Sequence, residues 1–137
     1  MIPIYIHRHT VSEREIDRQG HVNNVAYVRW MQDAAVAHSA AVGWPLDRYL
    51  EQGWAWVVRS HYIEYRRSVL PGEEVAVHTW ITTMEKRTSV RKFEIRNPDA
   101  TVLYARGETN WAFIDTETKS LCRIPLEVSS AFVIVEK

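Results

Sequence analysis

Asp17-Arg18-Gln19-Gly20-His21-Val22-Asn23-Asn24-Val25-Ala26-Tyr27 puts a carboxylate, a glycine and a pair of asparagines in immediate succession. Asn is among the best residues for capping a helix N-terminus, so the pair predicts where a helix begins. The free backbone N–H groups of that first turn, at the positive end of the helix dipole, favour an anionic oxygen. Gly20 allows the sharp turn that would fold Asp17 back over them. A carboxylate beside such an anion site is a minimal hydrolytic pair: one group attacks or activates water, the other holds the developing oxyanion.

Outward from this stretch, the predicted helix runs from about Asn24 to about Val42 and stops at Gly43, with Pro45 beyond. At ~1.5 Å per residue it is roughly 28 Å long. Tyr27, Val28, Trp30, Met31, Val36 and Val42 make it apolar, and Ala34, Ala35, Ala37, Ala40 and Ala41 crowd its second half. That predicts a central helix, largely buried, with small residues letting a sheet wrap closely. Before it, Pro3 to Val11 reads as a strand and Ser12 to Val22 as a loop carrying Glu13, Arg14, Glu15 and Asp17.

After it, Pro45 to Gly53 reads as a second, short helix, and from Trp54 the texture becomes β. Strands are expected over Trp54–Arg67, Glu74–Met84, Thr88–Arg96 and Thr101–Asp115, separated by Ser68–Glu74, Glu85-Lys86-Arg87 and Asn97-Pro98-Asp99-Ala100. In the last strand Leu103, Ala105, Gly107, Thr109, Trp111 and Phe113 face one way and Tyr104, Arg106, Glu108 and Asn110 the other. Past the turn at Thr116–Lys119, the chain from Arg123-Ile124-Pro125 onward reads as a short helix or an extended tail. Short turns imply antiparallel neighbours, so the expected class is α+β: one long helix on the concave face of a twisted antiparallel sheet of about five strands. Residues 1–137 read as one domain. Such a sheet has open edges, and edge-to-edge pairing with a second copy, a homodimer, would close them.

Composition narrows the function. Of 137 residues, 46% are hydrophobic and 25% charged, and Lys+Arg equal Asp+Glu at 17 each, so no global field recruits nucleic acid or an anionic membrane. The N-terminal apolar run, Met1 to Ile6, is too short and lacks the basic region of a signal peptide. No apolar run approaches the ~20 residues that span a bilayer. A single cysteine, Cys122, fits a reducing cytoplasm and, with no evident His partner, an inert thiol. Six Trp and six Tyr exceed what a small core requires, and suggest a subunit interface or an apolar ligand pocket beside ordinary packing.

Among candidate site residues, Asp17 leads, as attacking group or as base for water. The backbone N–H of Asn24, or of Val25, is its expected partner as carbonyl donor. His21 is either an acid/base partner or a hydrogen-bonding residue that shapes the loop. Asn23 caps the helix and is placed to touch substrate. Tyr27, one turn in, reads as core that borders the site. Arg66-Arg67, Lys86-Arg87 and Arg91-Lys92 are candidates for the phosphates of a carrier, against the plainer reading of a solvated surface. Six histidines invite a metal, but no Cys or carboxylate cluster completes a site, so no metal and no cofactor are expected. No Gly-x-Ser-x-Gly elbow supports a serine hydrolase.

The Asp17-to-Tyr27 segment resembles the Asp-x-x-Gly-His-Val-Asn-Asn-x-x-Tyr motif of the hotdog-fold acyl thioesterases, the 4-hydroxybenzoyl-CoA thioesterase-like and acyl-ACP thioesterase-like enzymes. Glu15-Ile16-Asp17 looks like the family's acid-x-Asp lead-in. His61 through Glu73 looks like its strand ending in Tyr-x-Arg-Pro followed by Pro-Gly-Asp/Glu, and Asp115 to Pro125 like its closing strand, turn and Ile-Pro. The resemblance implies a hotdog fold and hydrolysis of an acyl-CoA or acyl-ACP thioester. It makes Asp17 the catalytic carboxylate and the N–H of Asn24 the carbonyl donor. It also implies a site at a subunit interface of a homodimer or dimer-of-dimers tetramer, and no metal. Arg14 and Ser68 depart from the family's usual residues near the expected acyl or carrier path. The alternatives are a non-catalytic acyl-CoA-binding hotdog protein and a hotdog dehydratase. For the dehydratase only Asp33 and His38 could serve, and their spacing does not align them on one helix face.

Overall fold

The computed structural model describes residues 2–137. Its elements are β1 (Tyr5–Thr10), a 3₁₀ turn (Glu13–Glu15), α1 (Asn24–Ala41), α2 (Leu46–Glu51), β2 (Trp54–Tyr65), β3 (Glu74–Met84), β4 (Thr88–Arg96), β5 (Leu103–Asp115) and α3 (Leu126–Ser129). The five strands form one sheet in the order β1-β3-β4-β5-β2, antiparallel throughout. This is the α+β hotdog arrangement: α1 is the one long helix, lying against a curved antiparallel sheet.

Both ends of α1 follow from local chemistry. Asn23 sits in extended conformation and its side chain accepts from the N–H of Val25 at 2.8 Å, a side-chain N-cap. At the other end the N–H of Gly43 bonds the carbonyl of Ala40 and the N–H of Trp44 bonds that of Ser39. This paired closure requires the left-handed backbone that Gly43 adopts, with φ at +102°.

Two expectations change in three dimensions. The helix is not buried all round. Ala26, Tyr27, Trp30, Met31, Ala34, Ala35 and His38 form one buried stripe, while Val25, Arg29, Gln32, Asp33, Val36 and Ala40 lie exposed in the single chain. A sheet of five strands covers one side of the cylinder only. Secondly, the connection at residues 66–73 is not a hairpin. It carries the chain from β2, at one edge beside β5, to β3 beside β1. Val69 anchors this crossing: it is 1% exposed, and its N–H donates to the Tyr27 hydroxyl at 3.2 Å. The strands joined by true hairpins, β3–β4 and β4–β5, are neighbours as the turns required.

The core divides along α1. Tyr27, Trp30, Met31 and Ala34 pack with Val75, Val77, Phe93, Ile95 and Ala105 near the helix start. Trp44, Tyr49, Phe113, Ile124, Val128 and Phe132 form a second cluster past its end. Close approach of helix to sheet depends on Gly107, where an added Cβ would sit 2.7 Å from the Met31 sulfur. The open edges are β1 and β2. Within β2 the pairing with β5 shifts between Val58 and Ser60, a bulge at Arg59 in the middle of the strand. No helix is long and apolar enough to cross a membrane, judged on the described residues.

Candidate active site

The loop before α1 closes on itself through backbone bonds. The N–H of Asp17 donates to the carbonyl of His21 at 2.7 Å, and the N–H of Gly20 to the carbonyl of Asp17 at 3.0 Å. Gly20 takes φ of +79°, a left-handed conformation that a side chain would strain, although open space surrounds it. The Asp17 carboxylate locks the same turn: its Oδ1 accepts from the N–H of Gln19 at 2.9 Å and of His21 at 3.1 Å. That leaves Oδ2 as the uncommitted oxygen, on an exposed residue.

The first turn of α1 has one N–H to spare. Val25 donates to the Asn23 cap and Ala26 to the Asn23 carbonyl, while the N–H of Asn24 meets no acceptor among the described residues. Of the two candidate carbonyl donors, Val25 is thereby ruled out, because the cap consumes its N–H. Its side chain is 63% exposed and lies outside the cleft.

Around these groups lies a polar cleft of about 510 Å³, lined by Asp17, Gln19, His21, Asn23, Asn24 and Tyr27 on one side and Tyr65, Arg66, Arg67 and Ser68 on the other. The sequence candidates Asp17, His21, Asn23, Asn24, Tyr27, Arg66 and Arg67 thus gather in one place, and Gly20 makes the turn that allows it. The His21 ring forms no hydrogen bond among the described residues, and its contribution to the loop is through its backbone. Tyr27 is 3% exposed and its hydroxyl holds Val69, so it borders the cleft as core.

Lys86 and Arg87 do not join this cluster within one chain. They occupy the β3–β4 hairpin, where the Arg87 carbonyl accepts from Phe113 and the Lys86 carbonyl from Ile124. Phe113 pairs with Trp56 and Ala105 with Tyr65, so the hairpin and Arg66 lie at opposite ends of β5, roughly 26 Å apart at 3.3 Å per residue. Arg91 and Lys92 separate as well: the strand alternates, so Lys92 faces outward and Arg91, 5% exposed, faces the helix.

Glu15 is the site residue that sequence reading undervalued. Its Oε2 accepts from Trp30 Nε1 at 2.6 Å, and its Oε1 from the Ser12 N–H and from His9 Nε2, at 2.9 and 2.8 Å. Its own carbonyl accepts from the N–H of Asn23. One residue thus ties strand, loop and helix start together two positions from Asp17. Burial pushes its carboxyl upward, but hydrogen bonds from His9, Ser12 and Trp30 outweigh that and hold it below the ordinary value of 4.5. The acid-x-Asp spacing was its only sequence signal.

A second cavity, of about 190 Å³, opens at the other end of α1 between Trp54, Trp56 and Trp111 and the helix residues Ala35, Val36 and Ser39. Behind it His38 is fully buried, stacked on Tyr5 and met edge-on by Phe132. Its Nε2 donates to the Ile2 carbonyl at 2.8 Å, and its Nδ1 accepts from Arg91 at 2.9 Å. Burial, with the Arg91 charge, lowers its pKa to about 4. Both ring nitrogens are engaged and Asp33 lies exposed on the other side of the helix, so the pair lacks dehydratase geometry. A depressed folded pKa means that the stabilisation is complete above the unfolded value of 6.5 and is lost as pH falls towards 4. The unfolding free energy of the wild type, from urea titrations, is expected to fall across that window by about 3 kcal/mol, and His38→Gln to flatten the fall.

Among the described residues no three His, Cys, Asp or Glu side chains come together as a metal cluster. Cys122 is half-buried, and burial with the Asp115 charge pushes its thiol upward, away from a reactive thiolate.

A curved antiparallel sheet on one long helix defines a hotdog protein, and its turn-locked Asp17 carboxylate lines the same cleft as Asn24. The chain belongs to the thioesterase-like superfamily, whose family model matches residues 11–132. It is similar to a DHNA-CoA thioesterase from Staphylococcus aureus, at 25% identity and a TM-score of 0.82 over 88% of this chain and 80% of that one. An acyl-ACP thioesterase from Bacteroides thetaiotaomicron superposes with a TM-score of 0.85 at 17% identity, covering 98% of this chain and 55% of that chain. The chloroplastic acyl-(acyl-carrier-protein) hydrolase FATB3 of Cuphea viscosissima is 23% identical over 124 residues, 86% of this chain. This chain spans only 30% of that protein's length.

Proposed function

We propose that this protein hydrolyses an acyl-CoA or acyl-ACP thioester to the free acid and the thiol carrier. The observation that carries the reading is that Asp17, whose Oδ1 is fixed by two backbone N–H groups, lines the same cleft as Asn24, whose N–H meets no acceptor among the described residues. The thioester oxygen accepts from Asn24, which polarises the carbonyl carbon. Asp17 Oδ2 takes a proton from water as the water oxygen adds to that carbon, or attacks the carbon itself. The C–S bond then breaks and the carrier sulfur leaves with the proton taken from water; where Oδ2 is the nucleophile, water hydrolyses the resulting acyl–Asp17 anhydride, which frees the acid, restores the carboxylate and supplies the thiol's proton. Arg66 and Arg67 at the rim suit the phosphates of the carrier, as a guanidinium suits a phosphate.

The polar cleft and the tryptophan-lined cavity stand at opposite ends of β2, an edge strand. Two β2 strands paired antiparallel about a two-fold axis would bring the Tyr65 end of one protomer beside the Trp54 end of the other. Each carboxylate would then face the partner's cavity, and the Lys86-Arg87 hairpin of one chain would approach the cleft of its partner. The exposed face of α1, with Val25 and Val36, would be covered in the same step. A homodimer, alone or stacked as a tetramer, is therefore part of the proposal.

Thiol release from aryl-, short-, medium- and long-chain acyl-CoAs and acyl-ACPs tests it, with the solution mass measured in parallel. Turnover of one class by a species of at least two chains is expected. Saturable ester binding without release across the panel would replace the reading with that of a non-catalytic binding protein.

A further inference from the structure

Arg91 is a buried guanidinium without a counter-charge. It is 5% exposed, and no carboxylate of the described residues pairs with it. One amino nitrogen donates to His38 Nδ1 at 2.9 Å and to Thr79 Oγ1 at 3.1 Å. Both acceptors are neutral and already oriented: His38 is held by the Ile2 carbonyl, and Thr79 donates onward to the carbonyl of Lys92. The other amino nitrogen and Nε, three N–H donors in all, meet no acceptor among the described residues.

These donors are not among the fully buried unpartnered atoms of the described residues; they open onto the cavity that Arg91 lines, where only water or a ligand oxygen can meet them. Arg91 lines the 190 Å³ cavity, whose walls include Trp54, Trp56, Trp111, Ile81 and Phe132, with Ser39, Tyr49 and Ser89 as its other polar residues. The cavity is therefore mostly apolar on its sides, with unused donors on Arg91 alone. A plain alkyl chain does not fit these donors: it would seal the guanidinium against methylenes. A carboxylate fits both donors and walls, because it takes two parallel N–H bonds from one guanidinium and is bound more strongly between apolar walls than in water.

We propose that Arg91 receives a carboxylate at the far end of the acyl group, so that the preferred substrates are thioesters of short ω-carboxyacyl chains or of carboxylated rings. This rests on the thioesterase reading above and names its substrate class. The acyl group enters from the partner's cleft, since Asn24 and Ser39 of one chain lie roughly 22 Å apart along α1, too far for a short acyl group to bridge.

Two measurements separate the subsite from the reaction. The first is kcat/KM for acyl-CoA esters of matched length with and without the terminal carboxylate, alongside carboxyaryl and hydroxyaryl esters. It is made on wild type, Arg91→Lys and Arg91→Met, the last of similar length and of a kind that buried-charge positions tolerate. Wild type is expected to favour the carboxylated member by roughly 10–100-fold, as for a hydrogen bond to a charged group. Met should abolish that preference and Lys should keep part of it; whether chain or ring ester leads identifies the scaffold. The second is tryptophan fluorescence during titration with a free dicarboxylate, which needs no turnover. If no thioester is cleaved, quenching in wild type that is lost in Arg91→Met still upholds the subsite while the thioesterase reading falls. Equal or better use of plain alkyl or hydroxyaryl esters would overturn the proposal. So would a carboxylate preference that survives Arg91→Met, or dicarboxylate titration without quenching.

Discussion

Asp17→Asn is expected to lower thioester turnover by about 10²–10⁴-fold, the range a positioned general base contributes, with substrate binding largely retained. The substitution is nearly isosteric, and the amide oxygen can still accept the N–H groups of Gln19 and His21 that the carboxylate Oδ1 now holds. Loop geometry should therefore survive and the loss should fall on the chemical step. Single-turnover release with an excess of enzyme separates that step from binding. A rate within threefold of wild type would mean that the chemistry lies elsewhere. A loss confined to KM would mean that Asp17 only positions the ester.

Glu15→Ala is expected to cost about 3 kcal/mol of stability and to lower activity through the loop. Three donors lose one acceptor: Trp30 Nε1, the Ser12 N–H and His9 Nε2. Hydrogen bonds to a charged group are worth ~1.5–3 kcal/mol each, and the Glu15 side chain is only 13% exposed. Trp30 is fully buried, so its indole N–H finds no water in compensation. The folded carboxyl titrates below the ordinary 4.5, so its contribution is present above 4.5 and is lost as pH falls through the lower, folded value. Chemical denaturation between pH 3 and 8 should show wild type and Glu15→Gln converging on the acid side, below the window assigned to His38. A Gln variant as acid-sensitive as wild type would remove Glu15 from this role.

Both expectations rest on a segment legible in the sequence. The glycine turn, the asparagine cap and the start of α1 are short-range events: a φ of +79° at Gly20, a 2.8 Å bond from Val25 to Asn23, a paired closure at Gly43. The bounds of β3 and β4 follow equally from alternation and turn residues, since each is set within a few positions of chain. The membership of the fold was carried by these local signals together with the motif built on Asp17.

What local signals do not encode is which strands meet and what each face meets. Residues 66–73 read as one more turn, yet they carry the chain across the fold so that β2 pairs with β5, because Val69 is buried against Tyr27 rather than left in a hairpin. The basic pairs looked equivalent along the chain. In space Arg66 and Arg67 rim the cleft, Lys86 and Arg87 stand at the far end of the sheet, and Arg91 turns inward beside His38. The elements, the helix caps and the carboxylate loop were readable along the chain, because these depend on neighbours within a few residues. Which cations reach that loop, which one is buried, and which edge is left open emerge only in the folded arrangement. Strand pairing and burial are settled by contacts between residues far apart in the chain, and a one-residue change of face reverses a side chain's surroundings.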